Sequence, residues 1–423
     1  MSAQPGVRLI AALAALAIAA TGCAGNGGQH PAPSPAATLS AARSAGAVAP
    51  GQNSQANATT PRSSAATPRP SATTPILGGP PSDRRHFVKV TRITGSITPK
   101  SVDASKSGLV VAQNMIYTHT LTVYDTAHRL VTTIPDRIVP ADYGYPQWTK
   151  PVRGGPVEAS FSPDGKDVWV SNYSMYGPGF SHPGDDVCSP RAGIDRSFLY
   201  RIDTTTLKID KVALVGSVPK YVNATPDGRS VLVTNWCSWE LSLVDTTQVK
   251  QIASVYLGRY PRGIAVSPDS RTAYVAVMGS SDLAVVNLER LRASKPAGEV
   301  LRWFRNVGQG PRHVNISPDG ATLYVTLNAE GRVAKVDART GTVLTKVSTG
   351  QAPRSSVLSP DGTALFVVNY ESGTVTRLRT SDLAVLESAH VDHHPIGITY
   401  NPVTQEIWVA SYGGSIAVFK DAA

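Results

Sequence analysis

Pro353-Arg-Ser-Ser-Val-Leu-Ser-Pro-Asp-Gly-Thr-Ala-Leu-Phe-Val-Val-Asn369 is one of seven variations on a single theme in this chain. Close copies run from Pro156 to Asn172, Pro219 to Asn235, Pro261 to Val277 and Pro311 to Leu327. Pro99 to Gln113 and Pro395 to Ser411 are degenerate copies. Successive lead prolines are 57, 63, 42, 50, 42 and 42 residues apart, so the unit is 42 residues long and three units carry insertions. Each unit reads as four short strands. The first alternates, as in Arg262 to Ser267, and ends in Ser/Thr-Pro-Asp-Gly, the residue order of a type I turn. The others are exemplified by Thr322 to Thr326, Leu241 to Asp245 and Val343 to Val347. Four strands per unit, seven times over, predict an all-β chain folded as a seven-bladed β-propeller. A solenoid of hairpins is the alternative.

The two ends of the repeat fit that closure. The last unit stops after its third strand, at Ala417 to Lys420, while His86 to Pro99 aligns with the fourth strand and lead proline at Gly341 to Pro353. Residues 86–95 are therefore expected to pair with residues 415–420 and complete the last blade, leaving no open edge between the chain ends. A propeller over residues 84–423 buries roughly 75 % of its unfolded surface and needs no metal or cofactor to fold. None is expected.

Ahead of the repeat lie two segments of another kind. Arg8 precedes twelve apolar residues, Leu9 to Ala20, too few for a stable span. Residues 1–22 read as a secretory signal peptide. The small residues before Cys23 resemble a bacterial lipobox, with Ala20 at the usual leucine position. That resemblance implies cleavage before Cys23, lipidation of its thiol, and an extracytoplasmic protein anchored by lipid to the cell membrane. An ordinary signal peptide with Cys23 left free is the alternative. Residues 23–83, rich in Ala, Pro, Ser and Thr, cannot bury enough surface to offset their ordering entropy and read as a disordered tether. Lys and Arg number 40 against 30 Asp and Glu, a net +10, of which residues 83–423 keep +6. This mild excess suits an anionic ligand, and nucleic acid is not an expected partner. With 17 % charged residues and 68 Gly and Pro among 423, a long coiled coil is excluded.

The pattern Pro-Arg-x-x-x-x-Ser-Pro-Asp-Gly-x-x-x-Tyr-Val-x-Asn resembles the YVTN-type, YncE-like seven-bladed propeller repeats, and more distantly the lactonase-type propellers, over residues 86–420. The resemblance implies the fold. Function has to come from the site, since propellers host unrelated activities.

Several features fall on the face of the ring where each blade begins. Five lead prolines are followed by a base: Lys100, Lys220, Arg262, Arg312 and Arg354. At a symmetric position these would ring the channel mouth and attract an anion; alternatively the base only holds neighbouring loops. Residues 135–155, with Tyr143, Tyr145 and Trp148, and residues 173–196, with Tyr173, Tyr176 and Phe180, are insertions on the same face. Trp236 and Trp239 occupy the next blade's loop. Trp148, Trp236 and Trp239 are candidate stacking surfaces, with packing among themselves as the alternative. His119, His393 and His394 are the candidates for a metal, without a short ligand motif. Glu158 and His313 are the candidate catalytic pair, but blade count places them on opposite sides of the channel. There is no Gly-x-Ser-x-Gly elbow and no P-loop. The sequence leaves enzyme activity open. It favours a monomeric binding or interaction scaffold at the cell envelope, touching the membrane only through its lipid. Its partner would be an envelope polymer, a protein or a small anion. The alternative is a lactonase-like hydrolase with its site at the top of the channel.

With Cys23 assigned to lipid, Cys188 and Cys237 remain, in the same type of loop on neighbouring blades. An even pair in an oxidising compartment predicts a disulfide. Closing a loop of this size is worth roughly 3–4 kcal/mol in the chain-entropy account.

Overall fold

The computed structural model describes residues 78–423. The expected signal peptide, the lipidation at Cys23 and the tether as far as residue 77 lie outside the described residues. Seven antiparallel sheets form a closed ring of seven blades. The innermost strands are Ser101–Ala104, Val152–Phe161, Pro219–Ala224, Pro261–Val266, Pro311–Ile316, Pro353–Leu358 and Pro395–Asn401. Each packs beside the next, and the last packs against the first. Apolar residues from facing blades fill the gaps between them, as where Leu232, Leu241 and Leu243 of blade three meet Ile264, Val275 and Ala284 of blade four.

The repeat's polar residues build the blades. In the Ser-Pro-Asp turns the serine hydroxyl donates to the aspartate and accepts from the strand beyond. Ser267 Oγ donates to Asp269 at 2.6 Å and accepts from the Thr272 N–H at 2.9 Å. The turn glycine sits in left-handed backbone, φ +75° at Gly320. The asparagine closing the second strand stitches it to the third: Asn235 Nδ2 donates to Ser242 Oγ at 2.8 Å and Asn369 Nδ2 to Thr376 Oγ1 at 3.0 Å.

His86–Ile93 pairs antiparallel with Ser415–Ala422, from His86 opposite Ala422 to Ile93 opposite Ile416, so the N-terminal strand completes blade seven as expected. Phe87 on that strand packs on Phe419 and Phe366. Anchoring begins before residue 84, the expected boundary. Ser82 is buried and its N–H donates to Asp361 at 2.9 Å, while Arg85 reaches back to the carbonyls of Pro80 and Gly78. Residues 78–83, expected in the tether, belong to the folded domain.

Of the three insertions, two lie on the face where the blades begin. Residues 135–155 add a two-residue fifth strand, Arg137–Ile138, to blade two. Residues 173–196 are fastened by the Cys188–Cys237 disulfide, whose Cα atoms are 5.3 Å apart. The third, two short helices at Leu288–Arg292 and Ala297–Val300, joins the outer strands of blade four on the opposite face. There it meets the Ser-Pro-Asp turn, with Glu289 and Arg271 3.4 Å apart.

Candidate ligand-binding site

The residue after the lead proline lines one cavity in six of the seven blades: Lys100, Lys220, Arg262, Arg312, Arg354 and Ile396. The five cations surround a cavity of about 320 Å³ at the channel mouth. Two carboxylates answer them. Glu158, one residue further down its strand, takes Lys100 Nζ at 2.9 Å with both side chains buried, and Arg262 Nη2 lies 3.8 Å from the same oxygen. Asp186, from the 173–196 insertion, takes Lys220 Nζ at 2.8 Å.

The other side of the mouth is uncompensated. Arg312 is only 3 % exposed, yet its guanidinium has no hydrogen-bond or ion-pair partner among the described residues. The Arg354 guanidinium lies 3.9 Å from the Tyr370 ring centroid, with Nε unpartnered. Burial, reinforced by Arg262 and Arg354, pushes Arg312 well below its ordinary value. Burial and Arg262 push Lys220 down to about 8, with Asp186 opposing. Burial also pushes Lys100 well below its ordinary value. Burial alone would raise Glu158, but Lys100 and Arg262 hold it below the usual carboxylate range. Five cations against two carboxylates leave the mouth with surplus positive charge, and Arg312 and Arg354 are the two without a carboxylate partner among the described residues.

A second symmetric position supplies the walls. Trp236, Met278, Tyr370 and Tyr412 directly follow their second strands, and Tyr173 holds the equivalent place within the longer second strand of blade two, Asp167–Tyr176. All but Tyr173 line the cavity directly. Trp236 stacks on Tyr260 at 4.2 Å and donates its indole N–H to the Asp186 carbonyl at 3.0 Å. Tyr173 donates to the Asp186 carboxylate at 3.1 Å, and Lys220 Nζ lies 4.4 Å from the Tyr173 ring. Of these wall residues, Met278, Tyr370 and Tyr412 escaped the sequence reading. Their shared signal was the position after the second strand in every unit.

Below the cations lies a layer holding Glu158, Tyr221 and His313. Counting blades puts Glu158 and His313 on opposite sides of the channel, and Tyr221 lies between their blades. Tyr221 and His313 are two blades apart, yet their rings meet edge to face at 5.2 Å. The intervening blade has Gly263 at this position, where a Cβ would come within 2.7 Å of the His313 Cα. Burial pushes the His313 imidazole down to about 4, so it is neutral at pH 7.

The remaining candidates lie elsewhere. Trp148 packs into the blade-two core, stacked on Phe180 at 5.0 Å. Trp239 lines a separate hollow with Tyr256 and Arg191. His119 is bonded to the Gly154 carbonyl at 2.6 Å and sits edge-on to Tyr176. His394 stacks on Tyr370 at 4.4 Å, with His393 beside it. No group of three His, Cys, Asp or Glu side chains gathers in a metal-holding arrangement among the described residues.

A family profile described as "Lactonase, 7-bladed beta-propeller" matches residues 250–383, the span that carries Arg262, Arg312, His313 and Arg354. No curated protein sequence matches the chain. Among solved structures, a chain of Kuenenia stuttgartiensis hydrazine synthase superposes with a TM-score of 0.59 at 16 % identity, over 79 % of this chain and 99 % of that one. At that identity the likeness concerns the fold alone.

Proposed function

We propose that the propeller is a binding module for a small anionic ligand, seated at the channel mouth against Arg262, Arg312 and Arg354 and walled by Trp236, Tyr370 and Tyr412. The observation that carries this reading is Arg312: a guanidinium only 3 % exposed that lines the cavity and has no hydrogen-bond or ion-pair partner among the described residues. An ionised side chain taken out of water without a partner costs several kcal/mol, and a bound oxyanion offsets that cost with charge-assisted hydrogen bonds. The aromatic walls suit a ligand with a flat body. On the expected lipid anchor and tether, the module would work at the outer face of the cell membrane as a monomer. Calorimetric titration with a panel of carboxylates and phosphate esters, on the wild type and on Arg312→Met, tests it; binding that ignores the substitution refutes it.

A second reading is a lactonase-like hydrolase using the same mouth. It is favoured by the profile match over residues 250–383 and by the layer of Glu158 and neutral His313 beneath the cations. In it, His313 would act as general base on water and Arg312 would stabilise the oxyanion formed on the lactone carbonyl. A lactone-hydrolysis screen in which Arg312→Met and His313→Gln both abolish turnover would support this reading; absence of turnover across the screen removes it.

A further inference from the structure

A row of three side chains crosses blade two, lining a cavity that shares no residue with the channel mouth. The short strand Arg137–Ile138 pairs with the start of Val152–Phe161, placing Arg137 opposite Arg153 and Ile138 opposite Val152. On its other side Arg153 lies opposite Tyr176. Directly opposed residues of antiparallel strands share a face, with Cβ atoms about 4.5–5.5 Å apart, so Arg137, Arg153 and Tyr176 stand in line on one surface. The register is fixed from beneath. Ile138 and Val152 turn into the core beside Met175, and a one-residue slip would bury the guanidiniums instead. The Arg153 guanidinium lies 6.0 Å from the Tyr176 ring centroid. The row opens on a cavity of about 380 Å³ bounded by Pro151 and Gly177.

Like charges placed directly opposite destabilise a sheet. Here neither exposed guanidinium has an ion-pair or hydrogen-bond partner among the described residues. Asp136, next to Arg137 in sequence, turns inward and accepts the Gly154 N–H at 2.7 Å. The strand extension thus holds two guanidinium forks side by side, next to an aromatic face; Asp136 acts on Arg153 through the intervening core without an ion pair.

We infer that this row is an anion-binding site separate from the channel mouth, taking a phosphate or carboxylate group between Arg137 and Arg153 and the ring that bears it against Tyr176. The two forks supply charge-assisted hydrogen bonds to the oxyanion, and the phenol ring supplies a stacking face. The site does not depend on the function proposed for the mouth.

Calorimetric titration of the full chain with phenyl phosphate, and in parallel with benzoate, tests it in an Arg312→Met background, where the mouth is disabled. Saturable binding of either probe should persist there. Arg137→Gln with Arg153→Gln should weaken it about tenfold or more, as expected for lost hydrogen bonds to a charged group. Tyr176→Leu should weaken phenyl phosphate while leaving inorganic phosphate within about twofold, because only the ring-bearing probe uses the stacking face. In the wild-type protein the Arg153 and Tyr176 side-chain NMR signals should shift with phenyl phosphate, an answer that needs no substitution. Binding unchanged by the double substitution, binding lost with Arg312→Met alone, or signals at Arg153 and Tyr176 that stay still would overturn the assignment.

Discussion

Asp421 takes the Arg377 guanidinium at 2.8 Å, and neither side chain has any exposure to solvent. Arg377 comes from blade six and is held between the rings of Phe87 and Phe366, at 4.7 and 5.2 Å. Asp421 lies near the end of the chain's last strand and also accepts from the hydroxyls of Ser82 at 2.7 Å and Tyr400 at 3.1 Å. Residues from both ends of the propeller and from the neighbouring blade thus converge on one ion pair, which locks the seam of the ring.

Removing one partner of a buried pair leaves an uncompensated charge and costs roughly 3–5 kcal/mol. Asp421→Ala should therefore lower the thermal midpoint sharply. Deleting residues 78–93 should do so further, since it also strips blade seven of its outer strand. Calorimetric unfolding of the two variants checks this, and an unchanged midpoint for the deletion would contradict the closure.

Glu158 gives a prediction of mixed sign. Glu158→Gln removes the carboxylate that Lys100 and Arg262 share, so the domain should lose roughly 3 kcal/mol or more. The mouth simultaneously gains positive potential, so anion affinity should rise. Thermal unfolding and calorimetric titration of the same preparation read both effects.

The disulfide fixes Asp186 and Trp236, because Cys188 is two residues beyond the one and Cys237 immediately follows the other. Reduction, or the double substitution to serine, should release the 173–196 insertion. Amide hydrogen exchange should quicken across residues 177–195 while blades four to six stay protected. Uniform exchange before and after reduction would count against this role.

Asp103 sets a pH dependence. Its carboxyl is partly buried where three blades meet, accepting from the Phe161 N–H at 3.1 Å and the Thr399 hydroxyl at 3.4 Å, and loss of solvent pushes it up to about 7. A carboxyl raised in the folded state contributes stability that is complete below its unfolded value near 4 and is lost as pH rises to about 7. The loss is up to about 4 kcal/mol over that window. His313, pushed down to about 4 by burial, works in the opposite direction between pH 4 and 6.5, so the total curve is a sum. Asp103→Asn isolates the carboxyl: relative to the wild type, its stability should improve steadily from pH 4 to 7. Parallel melting curves at stepped pH decide it.

Much of this was legible in the repeat. Period, turn chemistry and the missing fourth strand determine blade number and closure, because each rests on local spacing. The cations at the mouth follow from the same symmetry: a residue after a lead proline points where its equivalents point. Aromatic residues in the loops were harder. Nothing in composition separates Trp236, which lines the mouth, from Trp148, which fills the blade-two core, since an indole can serve either end. The contact of Tyr221 with His313 was hidden because blade counting gives angle, not width, and the blade between them carries Gly263, which has no side chain to keep them apart. The row of Arg137, Arg153 and Tyr176 depends on strand register within an insertion, where the repeat gives no phase.

The central claim is that Arg312 is kept buried and unpaired for a ligand's sake. Thermal unfolding of the wild type and of Arg312→Met, each with and without citrate, tests it most directly, because a tricarboxylate can meet three guanidiniums at once. Replacing a buried, unpartnered cation with an apolar side chain of similar size should raise the midpoint without ligand by roughly a few degrees. Citrate should raise the wild-type midpoint clearly more than that of Arg312→Met. A variant that melts lower than the wild type, yet still gains the full stabilisation from citrate, would contradict the account.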